Sequence, residues 1–466
     1  MNSTGLDLSS EYFIDSIVLE SDVNGKKHEL LHIFSSIEIY ESMTHTFMYG
    51  KIEIEDTNGL IEILPIIGEE KISFKLRKKS SDEKYFKVEG NVFKVSNRIR
   101  PPERKGIEQY TLEFITEQAL ENQTKRVSKT YEGKISDAVK DIAENHLNLK
   151  KIELDGLLSK TEKFLKENKN LYRDILIEET MDQNKISIPN LKPVDAINFL
   201  TKFSYSKNGG DKNPYNTSFK FYQTRQGYFF QSVEETIKQR KETIKHEYYF
   251  TNDPNLKKDD FQVKKQDLFT VIDYQFVNLY DNFSSSSDGY YGATNVSYDT
   301  LTKTLHEYEL NYNDKFKSLI HIDKNNTNTE NFKLNTKPEK SVIKTFPTRK
   351  GSNESKYIKN YKSENIFYAK EDEIDILKIV KNERFNEGII MEIDIPSNHY
   401  LYVGDIINLK FPSYVRENNK KEYFDDKYFS GDYMVISITH KLSNIEIKTW
   451  KMTVTVLKDS YKDKIK

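Results

Sequence analysis

The sequence predicts an α+β protein dominated by antiparallel β-structure, with a β-barrel or sandwich at each end and mixed α/β segments between. Three observations predict it. Period-two apolar runs divided by Asn-Gly and Ser/Asp clusters fill Tyr12 to Phe114, and similar runs return from Ile389 to Leu457. Helical spacing is confined to a few segments between them. The 30 Tyr and 27 Phe, set against one Trp, suit pleated, half-buried surfaces.

In the first unit the strands are expected at Phe13–Leu19, Ile33–Tyr40, Phe47–Ile54, Ile72–Leu76, Tyr85–Val95 and Tyr110–Phe114, with turns at Asn24-Gly25, Asn58-Gly59 and Ser80–Asp82. Ile135, Ala138, Val139 and Ile142 then fall at helical spacing. Pro193 suits the first position of a second helix that turns Ala196, Ile197 and Leu200 inward. A strand pair spans Ser218–Phe230, turning near Arg225–Gly227, and helix returns at Val233–Ile244. Phe269–Tyr280 and Asn295–Tyr312 read as strand, separated by a polar loop at Ser284–Gly289. Asn325–Asn365 is the least apolar stretch and is left without an element. A helix at Glu373–Phe385 leads to strands at Ile389–Ile395, Ile406–Phe411, Tyr433–His440 and Ile445–Leu457.

A chain of 466 residues has room for about three domains at roughly 150 residues each. The expected division is 1–118, a first β-barrel; 119–190, a helical segment; 191–388, a mixed α+β region with the polar loop near 325–365; and 389–466, a second β-unit completed by middle segments. The 71 basic residues nearly balance 73 acidic ones, so no global field recruits nucleic acid or membrane. The absence of cysteine excludes disulfides, thiolate nucleophiles and Cys-ligated metal sites. Met1–Tyr12 lacks a leader pattern and no stretch approaches the roughly 20 apolar residues of a membrane span, so assembly in a cytoplasm is expected.

The two end units share a pattern. Gly68-Glu69 precedes Ile72, Phe74 and Leu76, while Gly404-Asp405 precedes Ile407, Leu409 and Phe411, one residue tighter after the glycine. A later strand, Phe93–Val95 or Tyr433–Val435, is followed by a closing strand headed by Tyr110 or Trp450. Either the chain carries a duplication, with Gly68, Ile72, Phe74, Gly404, Ile407 and Leu409 as repeat positions, or two amphipathic β-regions merely look alike. A duplication would let three chains present a quasi-sixfold ring.

The blocks LHIFSSIEIYESMTHTFMYGKIEIEDTNGLIEILPIIGEEKISFKL (31–76), LKPVDAINFLTKFSYS (191–206) and FKFYQTRQGYFFQSV (219–233) carry a family likeness. So do SDGYYGATNVSYDTLTKTLHEYELNYND (287–314) and the closing YVGDIINLKFP, FSGDYMVISITHKL and WKMTVTVLKDSY. In their order and spacing the chain resembles the central baseplate hub proteins of contractile-tailed bacteriophages of the T-even kind and, more distantly, the hub portions of contractile injection spikes. The resemblance implies two tail-tube-like barrels per chain and a homotrimer located in the virion tail baseplate. It implies as partners a hexameric tail tube protein above and a trimeric central spike protein below, with tape measure and other baseplate proteins nearby. Genome DNA would pass through the lumen without sequence recognition, no cofactor is implied, and lytic activity would belong to the spike rather than to this chain.

One motif argues otherwise. His28-Glu29-Leu30-Leu31-His32 matches the zinc-peptidase HExxH, which works on a helix because four residues rise only about 6 Å. Here the match follows an Asn-Gly turn and opens a strand, where four residues span about 13 Å, so it is read as coincidental. The metzincin continuation also fails, with Ser35 and Glu38 in place of Gly and His. No nucleotide, serine-hydrolase or calcium-loop motif occurs, and His146, His306 and His440 are scattered singly. The lysines of Lys75–Lys79 and Lys257–Lys265 read as solvated strand edges rather than phosphate contacts. Beside the structural hub, a zinc peptidase using His28, Glu29 and His32 and a receptor- or glycan-binding tail protein remain open.

Overall fold

A computed structural model describes residues 12–21, 25–64, 66–78, 86–102, 106–151, 173–181, 184–207, 216–241, 246–250, 269–299, 303–328, 340–346, 366–398, 400–413, 425–445 and 448–464. The expected turn at Ser80–Asp82, the Lys257–Lys265 run, the chain before Tyr12 and most of Asn325–Asn365 lie outside the described residues.

The first unit comprises β1 (Tyr12–Glu20), β2 (Lys27–Glu29), β3 (Phe34–Ser42), β4 (Tyr49–Asp56), α1 (Leu60–Ile63), β5 (Lys71–Lys78), β6 (Phe86–Ile99) and β7 (Glu108–Ile115). Alternation makes these strands: Ile37 and Ile39, Ile52 and Ile54, Ile72 and Phe74 are all buried while their neighbours face outward. The pairing order is β2-β1-β5-β6-β7-β4-β3, antiparallel throughout.

The middle region begins with α2 (Glu117–Thr124), β8 (Val127–Gly133), α3 (Ile135–His146), β9 (Lys150–Lys151), β10 (Asp174–Ile177), β11 (Asn184–Leu191) and α4 (Pro193–Thr201). The hairpin β12 (Phe219–Thr224) and β13 (Gly227–Ser232) follows, then α5 (Val233–Lys241). Residues Ile135, Ala138, Val139 and Ile142 of α3 and Ala196, Ile197 and Leu200 of α4 form a core with the sheet β12-β13-β10-β9. Pro193 opens α4 as expected.

After β14 (His246–Tyr249) and β15 (Asp273–Asn278) the structure departs from the sequence reading. The expected Ser284–Gly289 loop is helix α6 (Asn282–Asp288), because the Asp281 carboxylate accepts from the Ser284 N–H and Gly289 ends it at φ +99°. Asn295–Tyr312 is two strands, β16 (Gly292–Asp299) and β17 (Thr304–Asn311), before α7 (Tyr312–Lys315). Within the stretch left without an element, β18 (Asn325–Asn326) forms a two-residue pair and β19 (Lys340–Phe346) pairs parallel with β16. Helix α8 (Ile366–Glu387) begins earlier than its apolar stripe suggests, although Ile376, Leu377 and Val380 are buried in a third core.

The chain closes with β20 (Ile389–Pro396), β21 (Ile406–Lys410), β22 (Gly431–Ser443), β23 (Thr449–Lys458) and β24 (Ser460–Tyr461). Here the pairing is β14-β21-β22-β23-β20-β15. In chain order and in pairing order β1, β3, β4, β5, β6 and β7 therefore correspond to β14, β15, β20, β21, β22 and β23. One direction differs: β1 runs antiparallel to β5, whereas β14 runs parallel to β21. Hydrogen bonding joins the units as well, because β3 pairs with β22, and one 13-stranded sheet with its end strands at β2 and β15 runs through both.

Candidate functional site

The seam between β3 and β22 is where the two β-units meet. Ser42 lies opposite Ser437, Tyr40 opposite Thr439, Ile37 opposite Leu442 and Ser36 opposite Ser443. The Met43 N–H extends the ladder by donating to the Ile436 carbonyl at 2.9 Å. The Tyr12 hydroxyl crosses the seam to the Ser443 carbonyl at 3.0 Å.

Buried charge sits on this seam. Alternation that buries Ile37 and Ile39 puts Glu41 on the same inner face, and alternation through Ile438 and Leu442 does the same for His440. Glu41 Oε1 lies 2.8 Å from His440 Nε2 and 2.6 Å from Arg225 Nε, and Oε2 accepts the Arg225 backbone N–H at 2.8 Å. Trp450 Nε1 donates to His440 Nδ1 at 3.3 Å. An indole N–H can only donate, so His440 accepts at Nδ1, carries its proton on Nε2 and is neutral. Arg225 comes from the turn between β12 and β13, donates to the Leu401 carbonyl and stacks 4.7 Å from the Tyr402 ring centroid. Three parts of the chain are thus keyed together.

Burial raises the Glu41 carboxyl, but the Arg225 guanidinium and the His440 hydrogen bond outweigh it and leave the group below the ordinary carboxylate range. Burial, and then Arg225, hold His440 below an ordinary histidine despite the hydrogen bond to Glu41. The arrangement orients and neutralises charge.

A second buried network anchors the middle region. Lys381 Nζ lies 2.7 Å from Glu234 Oε1, and Lys378 Nζ donates to the carbonyls of Thr201, Lys202 and Ser204 at 3.1, 2.7 and 2.8 Å. Arg384 lies 4.2 Å from the ring centroids of both Tyr290 and Tyr312. A cavity of about 40 Å³ lies among Glu234, Lys381, Arg384 and Asp459, room for a water or two.

The candidate repeat positions share local geometry. Gly68 and Gly404 both take φ +93°, and Ile72, Phe74, Ile407 and Leu409 are buried on β5 and β21. The Val92 N–H donates to the Glu70 carbonyl and the Val435 N–H to the Asp405 carbonyl, each at 2.8 Å. A one-residue bulge follows both valines, at Phe93 and at Ile436. These bulges correct the sequence alignment: Val92, not Val95, matches Val435, and cross-strand partners match Tyr110 with Met452 rather than Trp450.

His28 and Glu29 lie on β2, and His32 lies in the turn after it rather than on the strand. The Glu29 carboxylate accepts the N–H of Ile17 at 2.6 Å and of Leu31 at 3.3 Å. No helix brings the two histidines to one face. His146 is the last residue of α3 and His306 lies on β17. Sequence reading placed Arg225 in a turn and Trp450 at the head of a strand but did not join them to Glu41; the usable signal was a charged residue on the apolar beat of β3.

No protein-family model matches the sequence, and no curated protein matches it. Solved structures do resemble it. A tail protein from Neisseria meningitidis MC58 aligns over 96% of this chain and 97% of its own, at 9% identity and a TM-score of 0.50. The 43 kDa tail protein of prophage MuSo2 from Shewanella oneidensis aligns over 96% and 98%, also at 9% identity and 0.50. The chain shares the fold of these two tail proteins. At 96% of this chain, each alignment takes in both β-units and the middle region. Among the described residues no helix of this tail-protein fold is long and apolar enough to cross a membrane.

Proposed function

We propose that the chain is a non-enzymatic baseplate hub subunit, three copies of which form a pseudo-sixfold ring joining a hexameric tail tube to a trimeric central spike and passing genome DNA. One observation carries this reading: two β-units with the same strand order are fused edge to edge within one chain. A heterologous contact repeated by two similar units closes a ring of six when three chains contribute. The repeat is read as a duplication, with Gly68, Ile72 and Phe74 answering to Gly404, Ile407 and Leu409.

Each unit is read as a barrel closed by one bent strand. In the first, residues 27–42 touch β1 through β2 and β4 through β3. In the second, the Tyr249–Thr270 bridge ties β14 to the segment entering β15, which pairs with β20. Closure of this kind protects strand edges from unwanted pairing.

Light scattering of the purified chain tests the reading, with a mass three times 54.9 kDa expected at high concentration or with tube and spike partners present. Cryo-electron microscopy of tails with this chain labelled should place it on the axis between tube and spike. Density at the periphery of the tail would overturn the assignment.

A further inference from the structure

The hub reading leaves open which surfaces meet between chains, and the internal seam supplies a template. The β22 strand is paired along its first residues by β21 and along Ser437–Ser443 by β3, with β23 on its other side. Its counterpart β6 is paired along its first residues by β5 and along its later residues by β7. Along Lys94–Ile99 the edge equivalent to the one β3 occupies has no strand partner among the described residues. On the other unit β15, the counterpart of β3, pairs with β20 on one edge and with no strand on the other among the described residues.

Exposure follows the same asymmetry. Ile436, at the bulge of β22 where its carbonyl accepts the Met43 N–H just past β3, is 7% exposed, whereas Phe93 at the same bulge of β6 is 43% exposed. On β15, whose second edge has no strand partner among the described residues, Val277 is 58% exposed, and Tyr280 just beyond the strand is exposed too. Among the described residues the chain holds one occupied copy of a strand-to-strand contact and the two halves of another with no strand on them.

Resting on the ring reading, we infer that β15 of one chain adds to β6 of the next copy in the register that β3 adopts on β22. Shared cross-strand partners set the register. Ile390 and Tyr49 occupy equivalent places, which makes Asn278 the equivalent of Tyr40. The two bulges make Lys94, Val95 and Ser96 the equivalents of Ser437, Ile438 and Thr439. Asn278 therefore lies opposite Ser96 of the neighbour, and Tyr280 opposite its Lys94. The occupant is a second copy of this chain, as the chain's own strand already fills the matching edge by β-augmentation. The two contacts differ in one respect. The internal seam buries Glu41 against Arg225 and His440, while Leu279 and Asn97 stand near the equivalent positions, so the contact between chains rests on backbone pairing and apolar cover.

A chain without cysteine suits a cross-linking test. Opposed Cα atoms on paired strands lie about 4.5–5.5 Å apart, within disulfide reach. Ser96→Cys with Asn278→Cys, and independently Lys94→Cys with Tyr280→Cys, should oxidise to covalent species up to the trimer on non-reducing denaturing gels. Ser42→Cys with Ser437→Cys should close only within the chain and serves as the geometric control. Each intermolecular single variant should remain uncrosslinked, because the contact joins different edges. Dimers from a single variant would overturn the proposal by showing a self-complementary contact. A native trimer by light scattering that fails to cross-link through either pair would overturn this contact while leaving the ring standing. A monomer at every concentration, and in the presence of tube and spike partners, would overturn both.

Discussion

Glu41 occupies a place where alternation calls for a third isoleucine, and the cost of burying it is met by specific partners. Removing one partner of a buried pair costs about 3–5 kcal/mol, whereas the intact pair can be nearly neutral, so the cluster fixes geometry more than it adds stability. Its titration has a definite sign. His440 has a folded pKa below the ordinary 6.5, so as pH falls below 6.5 the unfolded chain takes up a proton that the folded ring resists, and stability declines. Glu41, also depressed, adds a further loss only below its ordinary 4.5. Glu178, raised to about 7 by burial, and His246, lowered by burial, titrate in the same window, so the His440 contribution is read as a difference in urea midpoint followed by emission of Trp450, the only tryptophan and one in contact with the cluster. On lowering the pH from 6.5 to 4.5 the wild type should lose more stability, or gain less, than His440→Gln, which keeps a donor for Glu41. Coincident wild-type and variant profiles between pH 6.5 and 4.5 would show that His440 does not couple to folding. At this scale the sequence was half legible. The inward beat of Glu41 and His440 can be read from alternation, but their pairing across 399 residues cannot, because periodicity assigns a face and not a partner.

Elements whose signals are local were the most legible. Strands of the end units and helices α3 and α4 follow from spacing, turns and Pro193 because each buries a stripe its own sequence defines. Helix α6 was missed because polar Ser284–Ser287 carries no stripe; its Asp281 cap and Gly289 stop are what define it. Strand β19 was missed because its place depends on parallel pairing with a distant β16. The end of α4 also depends on a distant residue. The turn after it meets its last carbonyls in part, with the N–H groups of Lys202, Phe203 and Ser204 donating to Phe199, Leu200 and Thr201. Lys378 of α8 adds one ammonium group to the carbonyls of Thr201, Lys202 and Ser204. Lys378→Met should therefore destabilise by about 2–3 kcal/mol, since hydrogen bonds to a charged group contribute about 1.5–3 kcal/mol. Hydrogen exchange should show the loss as faster opening of Leu200–Ser204, with α3 unchanged. Unaltered protection there would mean that water replaces the lysine at no cost.

For the whole molecule, the question is whether the β-units are two bodies or one. A single hydrophobic cluster runs from Tyr12 and Ile37 through Phe114 to Ile393, Val435 and Val456, uniting residues from both ends of the chain. The α3–α4 core and the β16–β17–α8 core are separate clusters. Shared apolar burial makes opening cooperative, while clusters that share little surface can open independently. Contacts between chain ends also make folding slow, because distant loops must close before the seam can form. Native-state hydrogen exchange with rising denaturant should show β3, β4, β22 and β23 losing protection together, at higher denaturant than β16, β17 and α8. If β4 and β7 instead open while β22 and β23 stay protected, the seam is a docking contact between independent units. The three internal seams of the proposed ring would then be hinges, and the buried Glu41–Arg225–His440 cluster would be the lock of each rather than part of a common core.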